Sequence, residues 1–129
     1  MPPVLKFESS PIPEGSKVII SNSGIMNFSG AFKVVSEDSS VPISNIDIRS
    51  GQIFSSVITK PGSNEKYVTV RDLPKSHDVV LVVGGPQRIS LQPVSADQLR
   101  VAGGDTHYVA AIDEIDGQFK DRQLLDQRN

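Results

Sequence analysis

Ser76-His77-Asp78 sets the three side chains of a nucleophile–base–orienter relay next to one another. The spacing defeats the chemistry. Successive side chains of an extended chain point to opposite faces, so three consecutive residues cannot pass a proton along one line. After Leu73-Pro74 the triplet reads as a polar turn. The second histidine, His107, follows Asp105 by two residues and would share a strand face with it, an arrangement that suits a carboxylate-oriented base or ligand. Two histidines without HxH or HExxH spacing do not make a zinc set. The chain has no cysteine, which removes thiolate nucleophiles, disulfides, Cys-ligated zinc and iron–sulfur clusters.

The densest acidic cluster is Asp113-Glu114-Ile115-Asp116-Gly117. Calcium needs several oxygen ligands gathered by a tight loop, which makes Asp113 and Asp116 the candidate cation ligands. The spacing is not that of an EF-hand loop, and a solvated acidic turn is the plainer reading. Gly84-Gly85 follows an apolar run, as a phosphate loop would, but Pro86 comes next, no Lys-Ser/Thr follows, and the chain then alternates like a strand. No cofactor is expected. Asn27-Phe28-Ser29 is an N-glycosylation sequon, a three-residue match that is frequent by chance.

Recognition has more candidates than catalysis. The segment Asn22 to Gly30 is polar and glycine-bounded, yet carries Ile25, Met26 and Phe28, which such a loop either tucks under a sheet or offers to a partner. Lys60 before Pro61 and Lys75 after Pro74 lie in loops of the kind that could enter a protease cleft, because proline lowers the ordering cost. Sugar platforms favour aromatic faces. With no Trp, only Tyr67 and Tyr108 are amphipathic rings, so carbohydrate binding would lean on Asp, Asn and backbone groups.

The elements that must position these groups follow from a rhythm of short β-branched runs between Gly, Pro, Ser, Asn and Asp clusters. Val18–Ile20, Phe32–Val35, Ile43–Ile48, Ile53–Ile58, Tyr67–Val70, Val79–Val83 and Ile89–Leu91 all read as strands. Val4–Phe7 reads as an edge strand or an arm, with Pro2, Pro3, Pro11 and Pro13 around it. Ile46/Ile48, Val68/Val70 and Ile89/Leu91 alternate with polar neighbours, giving each strand one dry and one wet face, as in antiparallel sheets. Val79–Val83 is apolar on both faces and is therefore central or covered by another chain. Pro61-Gly62-Ser63-Asn64 and Gly84-Gly85-Pro86 read as turns. Ser95-Ala96-Asp97-Gln98 has a capping-box pattern, while Leu99-Arg100-Val101 also alternates as a strand would. The stretch Thr106–Ile115 is read as a strand.

The expected fold is all-β: an antiparallel β-sandwich of jelly-roll or immunoglobulin-like topology with at most short helices, a closed barrel being the runner-up. Its expected parts are a proline-rich arm or edge strand over 1–16, a core over 17–117 and a polar tail over 118–129. A net charge of −2, with 13 basic residues scattered among 15 acidic ones, disfavours nucleic acid and anionic membranes as partners. The opening Met1-Pro2-Pro3-Val4-Leu5-Lys6 lacks the order of a secretory signal, and no run nears the roughly 20 apolar residues of a membrane helix, so a soluble, cytoplasmic setting is expected. The expected function is a non-enzymatic binding or assembly module acting through a protein partner or self-association. The alternatives are a lectin-type protein, a protease inhibitor presenting Lys60 or Lys75, and a small enzyme built on Asp105 and His107.

Overall fold

The chain folds as a β-sandwich of two four-stranded antiparallel sheets. The structure is a computed structural model that describes residues 5–13, 15–38, 40–85 and 87–104. The strands are β1 (Leu5–Ile12), β2 (Gly15–Asn22), β3 (Phe28–Ser36), β4 (Ile46–Ser50), β5 (Ser55–Thr59), β6 (Lys66–Leu73), β7 (Asp78–Gly84) and β8 (Ile89–Pro93), followed by a short helix α1 (Ala96–Val101). One sheet has the order β1-β2-β7-β4 and the other β5-β6-β3-β8, and neither closes into a barrel. Only β1–β2 and β5–β6 are joined within a sheet; every other strand connection crosses between the sheets.

The dry faces foreseen from the alternation meet in one core. Val18 and Ile20 of β2, with Val79, Leu81 and Val83 of β7, face Phe32 and Val34 of β3 and Val68 and Val70 of β6 across the gap. β1 takes the edge position, with Leu5 buried and the Phe7 ring meeting Phe32 edge-on at a centroid distance of 5.4 Å. β7 lies between β2 and β4, which accounts for its long apolar run. On its outward face Val82 has Lys17 and Asp47 as cross-strand neighbours and is almost fully covered.

Three expectations need correction. Ile43, Ser44 and Asn45 do not belong to β4, which begins at Ile46, and Ser44 N–H donates to the Gln87 side chain (3.0 Å). Ile53 and Phe54 are not part of a strand: they lie in a turn closed by a hydrogen bond from Phe54 N–H to the Gly51 carbonyl (2.9 Å), and β5 begins at Ser55. Gly51 permits this because its φ of +82° suits glycine, and a Cβ there would stand 2.8 Å from the Asp78 carbonyl oxygen. β6, in turn, has no wet face over its first half. Tyr67 and Thr69 are buried although they point away from the core between the sheets. The chain after β8 covers them: Val94 N–H donates to the Ala31 carbonyl (3.0 Å), Leu99 and Ala102 are buried, and Gly104 closes against Leu99 and Ile58. Ala31 pairs with Thr69, and Ile58 with Tyr67, on that same outer face.

α1 decides the ambiguity after Val94 in favour of a helix. Ser95 Oγ accepts from Gln98 N–H (3.2 Å) and Gln98 Oε1 accepts from Ser95 N–H (2.9 Å), a complete capping box. Among the described residues no helix is long and apolar enough to cross a membrane. The Thr106–Ile115 strand, Asp105, His107 and the tail over 118–129 lie outside the described residues.

Candidate functional site

The two ends of the sandwich are built differently. One carries both hairpins together with the β3–β4 and β7–β8 crossings; the other, among the described strand connections, carries the crossing loops β2–β3, β4–β5 and β6–β7. This second end, the loop end, is organised by one buried side chain. Asn22 is 2% exposed at the end of β2. Its Nδ2 donates to the carbonyls of Met26 and Leu73 (both 2.8 Å), and its Oδ1 accepts from Gly24 N–H (2.9 Å). Its backbone adds bonds to the β6–β7 loop, Asn22 N–H to His77 O (3.1 Å) and Ser76 N–H to Asn22 O (3.0 Å). One amide therefore ties the β2–β3 loop to the β6–β7 loop and leaves none of its own polar atoms unsatisfied.

The third loop joins through the β6–β7 turn. The Phe54 ring meets the His77 ring edge-on at 5.9 Å, and Gly51 lies against Asp78 and Val79. His77 Nδ1 lies 3.0 Å from the Lys75 carbonyl oxygen.

Backbone strain collects at the same end. The two non-glycine residues with positive φ among those described are Asp72 (+54°), near the end of β6, and Ser76 (+64°), within the β6–β7 connection. Each costs of the order of 1 kcal/mol, a strain that persists only where surrounding contacts over-determine the backbone. Asp72 sits in a bulge, with Phe28 paired to Leu73 and Gly30 to Val70, and its N–H donates to Ser29 Oγ (3.0 Å). Ser76 is the third residue of a turn closed by His77 N–H to Pro74 O (3.1 Å). A second bulge, at Arg49, bends β4 just before the β4–β5 loop.

These fixed loops present large apolar side chains to solvent. Ile25 is 81% exposed, Met26 74% and Ile53 87%. Ile25 and Met26 stand on one flank of the β6–β7 turn and Ile53 on the other, with Lys75 between them. Two strand spacings separate the flanks, about 10 Å. Arg49, Arg71, Asp72 and Asp78 are exposed at the strand ends that border these loops and supply a charged rim.

The loops that carry Ile25, Met26 and Lys75 thus lie at one end of the sandwich, with the loop of Ile53, a residue whose β-branched run reads as a strand in the sequence. The structure sends the other candidates elsewhere. Phe28 is a core residue whose ring stacks on Phe32 at 6.5 Å. Tyr67 is buried beneath the segment around α1, with its hydroxyl donating to Glu65 Oε1 (2.8 Å). Burial and this bond to a carboxylate push the phenol up to about 12. The Tyr67 hydroxyl, followed by the Lys33 and Lys60 ammonium groups, holds Glu65 below the usual carboxylate range. Lys60 is at the opposite end, 3.9 Å from Glu65, which Lys33 also approaches at 3.6 Å. Both candidate inhibitor lysines sit in tight turns: Lys60–Ser63 closes by Ser63 N–H to Lys60 O (3.2 Å), with Gly62 at φ +77°. An extended peptide is what a sheet-edge cleft accepts, and neither turn offers one. Tyr108, Asp113 and Asp116 lie outside the described residues.

The depressions of the surface are shallow. One of 220 Å³, beside the loop end, is lined by Ile53, Phe54, Ile58, Thr69 and Arg71 among others, and one of 300 Å³ at the opposite end by Glu37, Asp38, Gln87 and Arg88 among others. Among the described residues no three His, Asp or Glu side chains gather as a metal-binding group.

Asn22 could have been singled out from the sequence. Asn22-Ser23-Gly24 directly after an apolar run has the form of an Asx turn, which the bond from Gly24 N–H to Oδ1 completes. The exposure of Ile53 had no such signal. No protein-family model, no curated protein and no solved structure matches the chain, so the loop end itself carries the functional argument.

Proposed function

We propose that the chain is a non-enzymatic recognition module that binds a protein partner through its loop end. The observation that carries this reading is the exposure of Ile25, Met26 and Ile53 at one end of the sandwich, the first two on a loop fixed by a buried, fully bonded asparagine and the third on a turn packed against the β6–β7 loop. Large apolar groups held out to water by a rigid scaffold lower the ordering cost of binding, and a charged rim around an apolar centre is the anatomy of a protein interface. The strained Asp72 and Ser76 support the same reading, because such backbone survives where geometry is being held for a purpose.

The test is capture from an extract of the cells that make the protein, with the wild-type chain and the variant Ile25→Asp/Met26→Asp/Ile53→Asp as baits. All three positions are exposed, so the variant melts with the wild type. It is expected to recover at least about tenfold less of the partner that the wild type enriches. Lys60→Ala, at the opposite end, recovers it unchanged. Equal recovery by the triple variant would remove the loop end as the contact surface.

A further inference from the structure

The four sheet edges are not equivalent. β4, β5 and β8 have five residues each, and β4 is also bulged. β1 runs for eight residues in unbroken register with β2, from Leu5 opposite Asn22 to Ile12 opposite Gly15. Among the described residues no strand pairs with its other side. A long, regular, open edge is a template for another strand, which proteins usually blunt with bulges, prolines or short length. The proline within β1 is Pro11, near its far end, so Leu5–Ser10 remains regular.

The side chains along this edge are complementary to themselves. Lys6 and Glu8 are exposed on the outward face of the sheet, on either side of Phe7, whose ring turns inward to Phe32. Place a second β1 antiparallel to the first, with the two Phe7 residues opposite each other. Lys6 then stands opposite Glu8 of the second copy, and Glu8 opposite its Lys6, on the same face. Sliding the register two residues either way sets Lys6 against Lys6 or Glu8 against Glu8. A two-fold contact requires one patch to fit itself, and this pattern does so in a single register.

We propose that the open edge of β1 is occupied by β1 of a second copy, antiparallel and centred on Phe7, joining two sheets into one of eight strands. The Leu5 end of β1 lies at the loop end, so the pairing points the two loop ends in opposite directions. The dimer is then a bridge with one recognition surface at each pole. Self-pairing is independent of whether the loop end binds a partner, because Lys6 and Glu8 can be altered without touching Ile25, Met26 or Ile53.

Sedimentation velocity on the full chain tests it, up to about 100 µM. The wild type is expected to shift from the 13.9 kDa monomer toward twice that mass. Lys6→Glu and Glu8→Lys each set like charges opposite each other and sediment as monomers at wild-type melting temperature. An equimolar mixture of the two variants regains the dimer, because one then offers two acids to the other's two bases; so does the double exchange. A wild type that stays monomeric, single variants that dimerise normally, or a mixture that stays monomeric overturns the pairing. The first of these outcomes is also what another strand or another protein on the β1 edge would produce.

Discussion

Replacing Asn22 with alanine is expected to destabilise the fold by about 3 kcal/mol, far more than a polar residue at a strand end normally costs. The change leaves the carbonyls of Met26 and Leu73 and the amide of Gly24 without their partner, at a site where Asn22 itself is 2% exposed. Each orphaned group costs roughly 1 kcal/mol or more, and the Leu73 carbonyl and Gly24 amide, whose bonds are buried, have the least access to replacement water. Asn22→Asp is expected to be at least as damaging. It keeps the acceptor for Gly24 but sets a carboxylate against two carbonyl oxygens. Urea unfolding measures this directly: a lower midpoint at unchanged slope reports the loss, since the surface exposed on unfolding stays the same. The variant should also lose partner capture, because the β2–β3 loop is no longer tied through the side-chain amide to the end of β6.

The largest stability effect is expected at Phe32. Its ring is fully buried between the sheets, meets Phe7 edge-on at 5.4 Å and stacks with Phe28 at 6.5 Å. Phe32→Ala removes the common partner of two aromatic rings and leaves a cavity that rigid sheets cannot close, costing about 4 kcal/mol. For a domain of this size that lowers the melting temperature by about 15 °C. Ile53→Ala and Met26→Ala, at residues of comparable hydrophobicity, are expected to change stability by less than about 0.5 kcal/mol. The contrast separates apolar residues that hold the fold from those that work outside it, and one calorimetric series reads all three.

The sandwich was legible in the sequence because its cause is local. Alternation at Ile89/Leu91 fixes which face is dry, and the unbroken apolar run Val79–Val83 marks the strand between β2 and β4. Two of the misread stretches depended on distant partners. Ile53 and Phe54 continue the β-branched run into Val57 and Ile58, and only the close approach of Gly51 to Asp78 forces the chain to turn there. Tyr67 and Thr69 alternate as solvent-facing residues should, yet the segment around Leu99, some thirty positions later, comes back over them.

The loop end was half visible for the same reason. Ile25 and Met26 could be picked out by an apolar pair in a polar, glycine-bounded loop. Ile53 joined them only once the β4–β5 crossing had been placed beside the β6–β7 turn. Phe28, three residues from Ile25, went to the core because β3 starts there and points its ring at Phe32. Sequence proximity grouped the three apolar residues; strand phase separated them.

Hydrogen–deuterium exchange on the chain alone and bound to the partner it captures tests the central claim most directly. The loop end is predicted to gain protection over residues 23–27, 51–54 and 73–77, with the opposite end, including residues 60–65, unchanged. Protection confined to the opposite end, with the three crossing loops exchanging as in the free chain, would contradict the account.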